Sequence, residues 1–200
     1  MTARIRSSLT GLAALVVVAL AGCTTPPPPQ KLPDLTYGHL PPIRLAVDRV
    51  DVRDDYKPPL AAPHIEHRVP QAPAKAAARW ARDRLVAVPD GGGRVATYTV
   101  IDARMTETPL PRTGGVQGMF TTDQAQRYDA HVAVEIEIVD PRGTRLGVVT
   151  AEANQSRTVP EGITLDEREK AQFEIVEALM RTLDAELSRS IAATLARWKR

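Results

Sequence analysis

One stretch limits the folds open to this chain more than any other. From Tyr128 to Val139, the residues Tyr128, Ala130, Val132, Val134, Ile136 and Ile138 alternate with Asp129, His131, Glu135 and Glu137. Side chains on a strand point alternately to opposite faces, so this period of two predicts a sheet with one buried face and one polar face. Asp140-Pro141-Arg142-Gly143 is a turn sequence. Arg145 to Thr158 is then expected to pair back as a hairpin. Its far end is polar, through Asn154, Gln155, Ser156 and Arg157, and is expected to run beyond the core.

A buried sheet face needs a cover. Thr164-Leu165-Asp166-Glu167 fits a capping box, in which Thr164 accepts from the Glu167 N–H and the Glu167 carboxylate reaches back. Beyond it, Phe173, Val176, Leu179, Met180, Leu183, Leu187, Ile191 and Trp198 fall within one arc of roughly 120° on a helix. That arc is the expected core face of a long terminal helix. Ala178, Ala185 and Ala192 recur on its other side; small residues there can admit a partner helix or can simply favour helix.

Upstream, Ile43, Leu45 and Val47 alternate, and Val50 and Val52 continue in the opposite phase, which predicts one strand bulged near Asp48-Arg49. Residues 54–72 carry Pro58, Pro59, Pro63 and Pro70, which exclude a long helix. A helix is expected from Pro73 to Val88. Ala74, Ala77, Ala78, Ala81, Leu85 and Val88 would form its inner face, with Trp80 at the edge, and Lys75, Arg79 and Arg82 its outer one. Pro89-Asp90-Gly91-Gly92-Gly93 turns the chain, and Arg94 to Met105 reads as the next strand. The order β-α-β-β-β-α predicts an α/β two-layer sandwich: about four strands, the first two parallel, the last three a meander, and two helices on one face.

Candidate chemistry is sparse. His64 and His67 lack the acid or cysteine cluster of a metal site, so no metal is expected. Glu135 and Glu137 share the polar face of their strand; paired carboxylates can act as acid and base, but with no His or Lys motif beside them they read as a solvated face. The basic stripe Lys75, Arg79 and Arg82 reads as a solvated face too, although it can also meet anionic headgroups. No Gly-x-Ser-x-Gly, paired metal ligands or reactive thiol occurs, so no catalytic residue, cofactor or enzymatic role is expected. The connection 106–127 places the apolar Val116, Met119 and Phe120 among glycines and prolines. It is either an adaptable contact for lipid or a protein partner, or a segment whose Phe120 folds back over a sheet end.

The N-terminus says where the chain is expected to reside. Arg4 and Arg6 precede an apolar run, Leu9 to Leu20, that ends in Leu20-Ala21-Gly22-Cys23. A membrane-spanning helix needs roughly 20 apolar residues, and this run has about a dozen, the pattern of a cleaved export signal. The last four residues resemble the lipobox of bacterial lipoprotein precursors. That resemblance implies cleavage before Cys23, the only cysteine, and its acylation. Two or more acyl chains make a stable anchor at about 0.8 kcal/mol per buried CH₂. Thr24, where such proteins carry Asp for inner-membrane retention, leans towards the outer membrane. Loss of residues 1–22 leaves 24 basic residues against 24 acidic ones. A neutral exported protein has no electrostatic case for a nucleic-acid partner. Residues 23–42 hold Pro26 to Pro29, Pro33, Pro41 and Pro42, an extended tether before a single domain over 43–200.

Leu20 to Cys23, Ile43 to Val52, Trp80-Ala81 with Leu85, and Thr164 to Trp198 together resemble, in layout, the ABC-type transport auxiliary lipoproteins of bacterial intermembrane lipid transport. That resemblance implies a lipid-anchored envelope protein facing the periplasm, accessory to a transport complex and close to its lipid. An outer-membrane assembly or structural lipoprotein, aiding lipopolysaccharide or outer-membrane protein insertion, is the alternative. The proline-rich stretch 54–72 and the loop 106–127 depart from the family's usual lengths, and the characteristic pairs of its first strand are not evident.

Overall fold

Six alternating apolar residues on one strand demand an apolar layer above them, and the fold supplies it with two helices. The structure is a computed structural model and describes residues 32–90, 92–111 and 124–200, all within the unit Lys31–Arg200. In chain order the elements are β1 (Ile43–Leu45), β2 (Arg49–Asp54), α1 (Pro73–Arg84), β3 (Leu85–Ala87), β4 (Val95–Asp102), β5 (Met105–Pro109), β6 (Gln124–Val139), β7 (Arg145–Pro160) and α2 (Leu165–Thr194), then a 3-10 turn, Ala196–Trp198.

The main sheet has four rows. β2 lies parallel to β4, β4 and β5 run in succession along one side of β6, and β7 lines its other side, antiparallel. The core row reads Val52, Tyr98, Ile136 and Val149 across the four strands. Tyr98, Val100, Val132, Val134, Ile136 and Ile138 are essentially excluded from solvent. This is the α/β sandwich with a parallel first pair and a closing meander.

Several boundaries differ from expectation. The first strand is two strands: β1 pairs with β3, β2 with β4. α1 stops at Arg84 because Leu85 takes extended angles and enters β3. Its buried side carries Ala76 and a fully buried Trp80, with Ala74 only partly buried. The strand expected over 94–105 breaks at Ala103-Arg104 into β4 and β5. The two ends of the expected 106–127 connection are a strand ladder instead, Met105 opposite Ala130 and Pro109 opposite Gln126. The far end of β7 stays tied to the fold: it pairs with β6 to Pro160, Val159 is buried, and α2 meets it through Arg157–Glu174 and Gln155–Thr182, while Asn154, Ser156, Arg157 and Thr158 are exposed. Leu35, Tyr37 and Leu40, expected in the tether, pack against the core.

Local chemistry explains the joints. Asp140 Oδ1 accepts from the N–H of Arg142 and of Thr144 at 2.9 and 2.8 Å, and Gly143 takes φ +80°, which only glycine adopts without strain. The capping box of α2 is formed: Glu167 N–H donates to Thr164 Oγ1 and Thr164 N–H to Glu167. α2 buries Leu179, Met180, Leu183, Leu187 and Ile191, each contributing about 1.5–3 kcal/mol. Phe173 is only half-buried, and Ala171, Gln172 and Ile175 are buried in addition to the expected arc. Between the helices, Trp80 Nε1 donates to Asp184 at 2.7 Å, and Arg84 donates to Asp184 and Ser188 at 3.0 and 3.1 Å. At the bottom, a clasp joins the two ends of the domain: Ala46 N–H donates to Trp198 O and Arg200 N–H to Arg44 O. Gly147 lets Leu195 and Trp198 approach; a Cβ there would lie 2.8 and 2.9 Å from them.

Candidate functional site

The fold collects polar chemistry in two places. The first is the face of the sheet that, among the described residues, no element covers. Because β6 alternates strictly, the residues opposite its core row all emerge there: Arg53, Thr99, Glu135 and Thr150 form one row, Asp51, Thr97, Glu137 and Val148 the next. Arg49 binds Asp51, Arg145 binds Glu137, and Arg127 binds Asp129. Towards the β5 end this face dips into a bowl of about 400 Å³ lined by Arg104, Thr106, Arg127, His131, Asn154 and Ser156. His131 Nδ1 lies 2.8 Å from Asn154 Oδ1 and its Nε2 3.7 Å from Asp102, which also holds Arg104. Arg127 Nε reaches Ser156 Oγ at 2.9 Å. Every charge in the bowl has a partner of opposite sign, so its chemistry is hydrogen bonding to a polar surface.

The second is a groove of about 760 Å³ between α1 and residues 54–72. Leu35, Tyr56, Val69, Ala74 and Ala78 form its apolar part, and Lys75, Arg79 and Arg82 border it. Arg79 is held by Asp83, whose other partner is the Tyr37 N–H. The floor contains Glu66, only 4 % exposed. It accepts from Tyr56 OH at 2.8 Å and from Met105 N–H at 3.1 Å, and His64 Nδ1 lies 3.5 Å away. Burial alone would raise the Glu66 carboxyl. The hydrogen bonds from its own N–H, Tyr56 and Met105 outweigh burial and hold it below its ordinary range. Tyr56 is pushed up, by desolvation and by that same bond. Glu66 is thereby a fixed anion that ties residues 61–66 to β5, together with Ile65 N–H on Met105 O and Glu107 N–H on Pro63 O.

Cys23, Val116, Met119 and Phe120 lie outside the described residues. His64 joins the Glu66 cluster and His67 borders the groove; no three potential metal ligands gather among the described residues. Glu135 and Glu137 do share the open face, and Glu137 is bound by Arg145. The basic stripe of α1, Lys75, Arg79 and Arg82, is exposed, as a solvated face would be, and runs along the rim of the groove. Sequence reasoning missed Glu66, Asp184 and the His131–Asn154 pair. The proline count around Glu66 hid a residue that folds inward, and nothing local marks Asp184, whose partners lie a hundred positions away. His131 and Asn154 could not be paired by counting back from the 140–143 turn, because the register shifts between Ile138 and Val139.

Among the described residues no helix is long and apolar enough to cross a membrane, which says nothing of a β-barrel. No family model matches the chain, and no curated protein matches it. Among solved structures, the chain is similar to a minor lipoprotein from Acinetobacter baumannii, 14% identical, covering 78% of this chain and 98% of that one with a TM-score of 0.38. It is also similar to a PelC dodecamer variant from Paraburkholderia phytofirmans, 18% identical, covering 71% of this chain and 90% of that one with a TM-score of 0.23. Likenesses this distant carry no argument about activity or assembly.

Proposed function

We propose that this chain is a membrane-anchored bacterial lipoprotein, a non-enzymatic accessory component of an envelope lipid-transport system. The observation that carries the reading is Leu20-Ala21-Gly22-Cys23 behind a charged start and a short apolar run. Acylated Cys23 would hold the polypeptide at the outer membrane, on its periplasmic side, and residues 24–34 would connect the anchor to the domain, which Leu35 already joins. The domain supports an adaptor role in one respect: two helices cover one sheet face, and the other presents ordered, mutually paired polar side chains. Docking of an envelope protein is the use proposed for that face. Val116, Met119 and Phe120 are proposed to touch the transport partner or its lipid.

Mass spectrometry of the mature polypeptide from membranes tests the anchor. The expected N-terminus is Cys23 carrying a diacylglyceryl thioether and an N-acyl chain; a bare thiol on a freely soluble polypeptide overturns it. A photo-crosslinker in place of Phe120 tests the partner in cells. Capture of a transport protein or lipid is expected, and capture of neither counts against the transport reading. Co-purification with a β-barrel assembly protein would replace that reading with the outer-membrane assembly alternative.

A further inference from the structure

The main sheet has two edges, and they differ. At one edge β2 carries Arg49, Asp51, Arg53 and Asp54, four charges in six residues, and Pro58 and Pro59 follow. Charge and proline are the usual means of keeping another strand away from an edge. At the other edge β7 runs for 16 residues and, among the described residues, pairs only with β6. Its outward backbone groups follow from one hydrogen bond. His131 N–H donates to Arg104 O, on the side of β4 and β5. Along β6 the groups therefore point to that side at odd positions and to β7 at even ones. The partners of those even positions, Val149, Ala151, Ala153, Gln155 and Arg157, turn inward. Val148, Thr150, Glu152, Asn154, Ser156 and Thr158 are left with N–H and C=O directed away from the sheet. Five of these six, all but Val148, are exposed, and the row contains one charge and no proline or lysine.

We infer that β7 is the site of self-association, pairing antiparallel with β7 of a second copy about a twofold axis at Ala153. The occupant follows from the row itself. With Ala153 opposite its own copy, Glu152 meets Asn154, Thr150 meets Ser156 and Val148 meets Thr158, so all six outward residues find partners and no like charges oppose. Moving the axis to Glu152 would set two carboxylates face to face, which is unfavourable. The chosen register forms about twelve backbone hydrogen bonds and joins the sheets of two copies into one of eight rows, with both helical layers on the same side. The layer above leaves room. Gln155 bonds Thr182 of α2, which places that flank of the helix beside the edge, and Ala178 and Ala185 lie one turn to either side of Thr182. A closed twofold contact of this kind consumes both free edges. It stands whether or not Cys23 is acylated or the transport reading holds.

The test uses the full chain in detergent, by analytical ultracentrifugation across a concentration series. The expected species is a dimer. Glu152→Pro removes an outward N–H and no ladder bond, so it is expected to give a monomer with an unchanged circular dichroism spectrum. Ala153→Pro removes an inward N–H and is expected to lower the melting temperature, which confirms the orientation. Asn154→Glu sets Glu against Glu152 twice per dimer and is expected to weaken it about fivefold, whereas Asn154→Lys strengthens it by a similar factor. A wild-type chain that stays monomeric at every concentration overturns the inference. So does an oligomer that Glu152→Pro leaves intact, and so does a β7 edge found occupied by a strand of another protein.

Discussion

The two faces of the central sheet are built from the same strands and carry opposite chemistry. On one, Tyr98, Val134, Ile136 and Ile138 meet α1 and α2 without solvent. On the other, Thr99, Glu135, Glu137 and Arg145 stand against water and one another. The difference separates tasks. Stability is concentrated on the covered face, where apolar burial and packing act together. The open face contributes little to folding, so its composition is free to serve recognition.

The sharpest way to break this division is to damage the covered face. Leu183→Ala removes a side chain with no exposure and is expected to cost about 2–5 kcal/mol in urea unfolding. Asp184→Ala is expected to cost about 2–3 kcal/mol, because it leaves the Trp80 N–H and the Arg84 guanidinium short of a partner where water is excluded. Asp184→Asn, which keeps an acceptor for Trp80, should lose less. Thr164→Ala, at the head of α2, is expected to cost about 1 kcal/mol through the lost cap. On the open face, Glu135→Gln or Thr99→Ala is expected to stay within about 0.5 kcal/mol. A loss comparable to that of Leu183→Ala would show that the open face is part of the folding core after all.

Glu66 sharpens the comparison through pH. Its folded carboxyl lies below its ordinary value of 4.5. The stability it adds is therefore fully present above that value and is lost as pH falls through the lower, folded one. Glu66→Gln should be less stable than the parent at neutral pH, and the gap should narrow as the solution is acidified. A gap that widens in acid would reverse the sign of the assignment.

The covered face was legible because its pattern is local. The alternation at 128–139 and the helical arc from Val176 to Ile191 need no knowledge of partners. What the strands do between turns was harder to read. A change of phase at Asp48 looks the same for a bulge as for two strands in separate sheets, and only pairing with β3 and β4 decides. The 106–127 segment reads as loop because its prolines and glycines obscure that Met105–Pro109 has a ready partner in the start of β6. Likewise Glu66 is one acid among prolines until Met105 and Tyr56 are brought to it. The polar network of the open face could be placed on its strand but not paired, since its pairings cross strands.

The bond from Ala46 N–H to the carbonyl of Trp198 ties the start of the folded domain to the segment after α2. β1 already has one partner in β3, so this second contact adds a closure between segments far apart in the chain, and closing so long a loop is entropically costly. Contacts of such high sequence separation are expected to form after the local β6–β7 hairpin and to open before the core does.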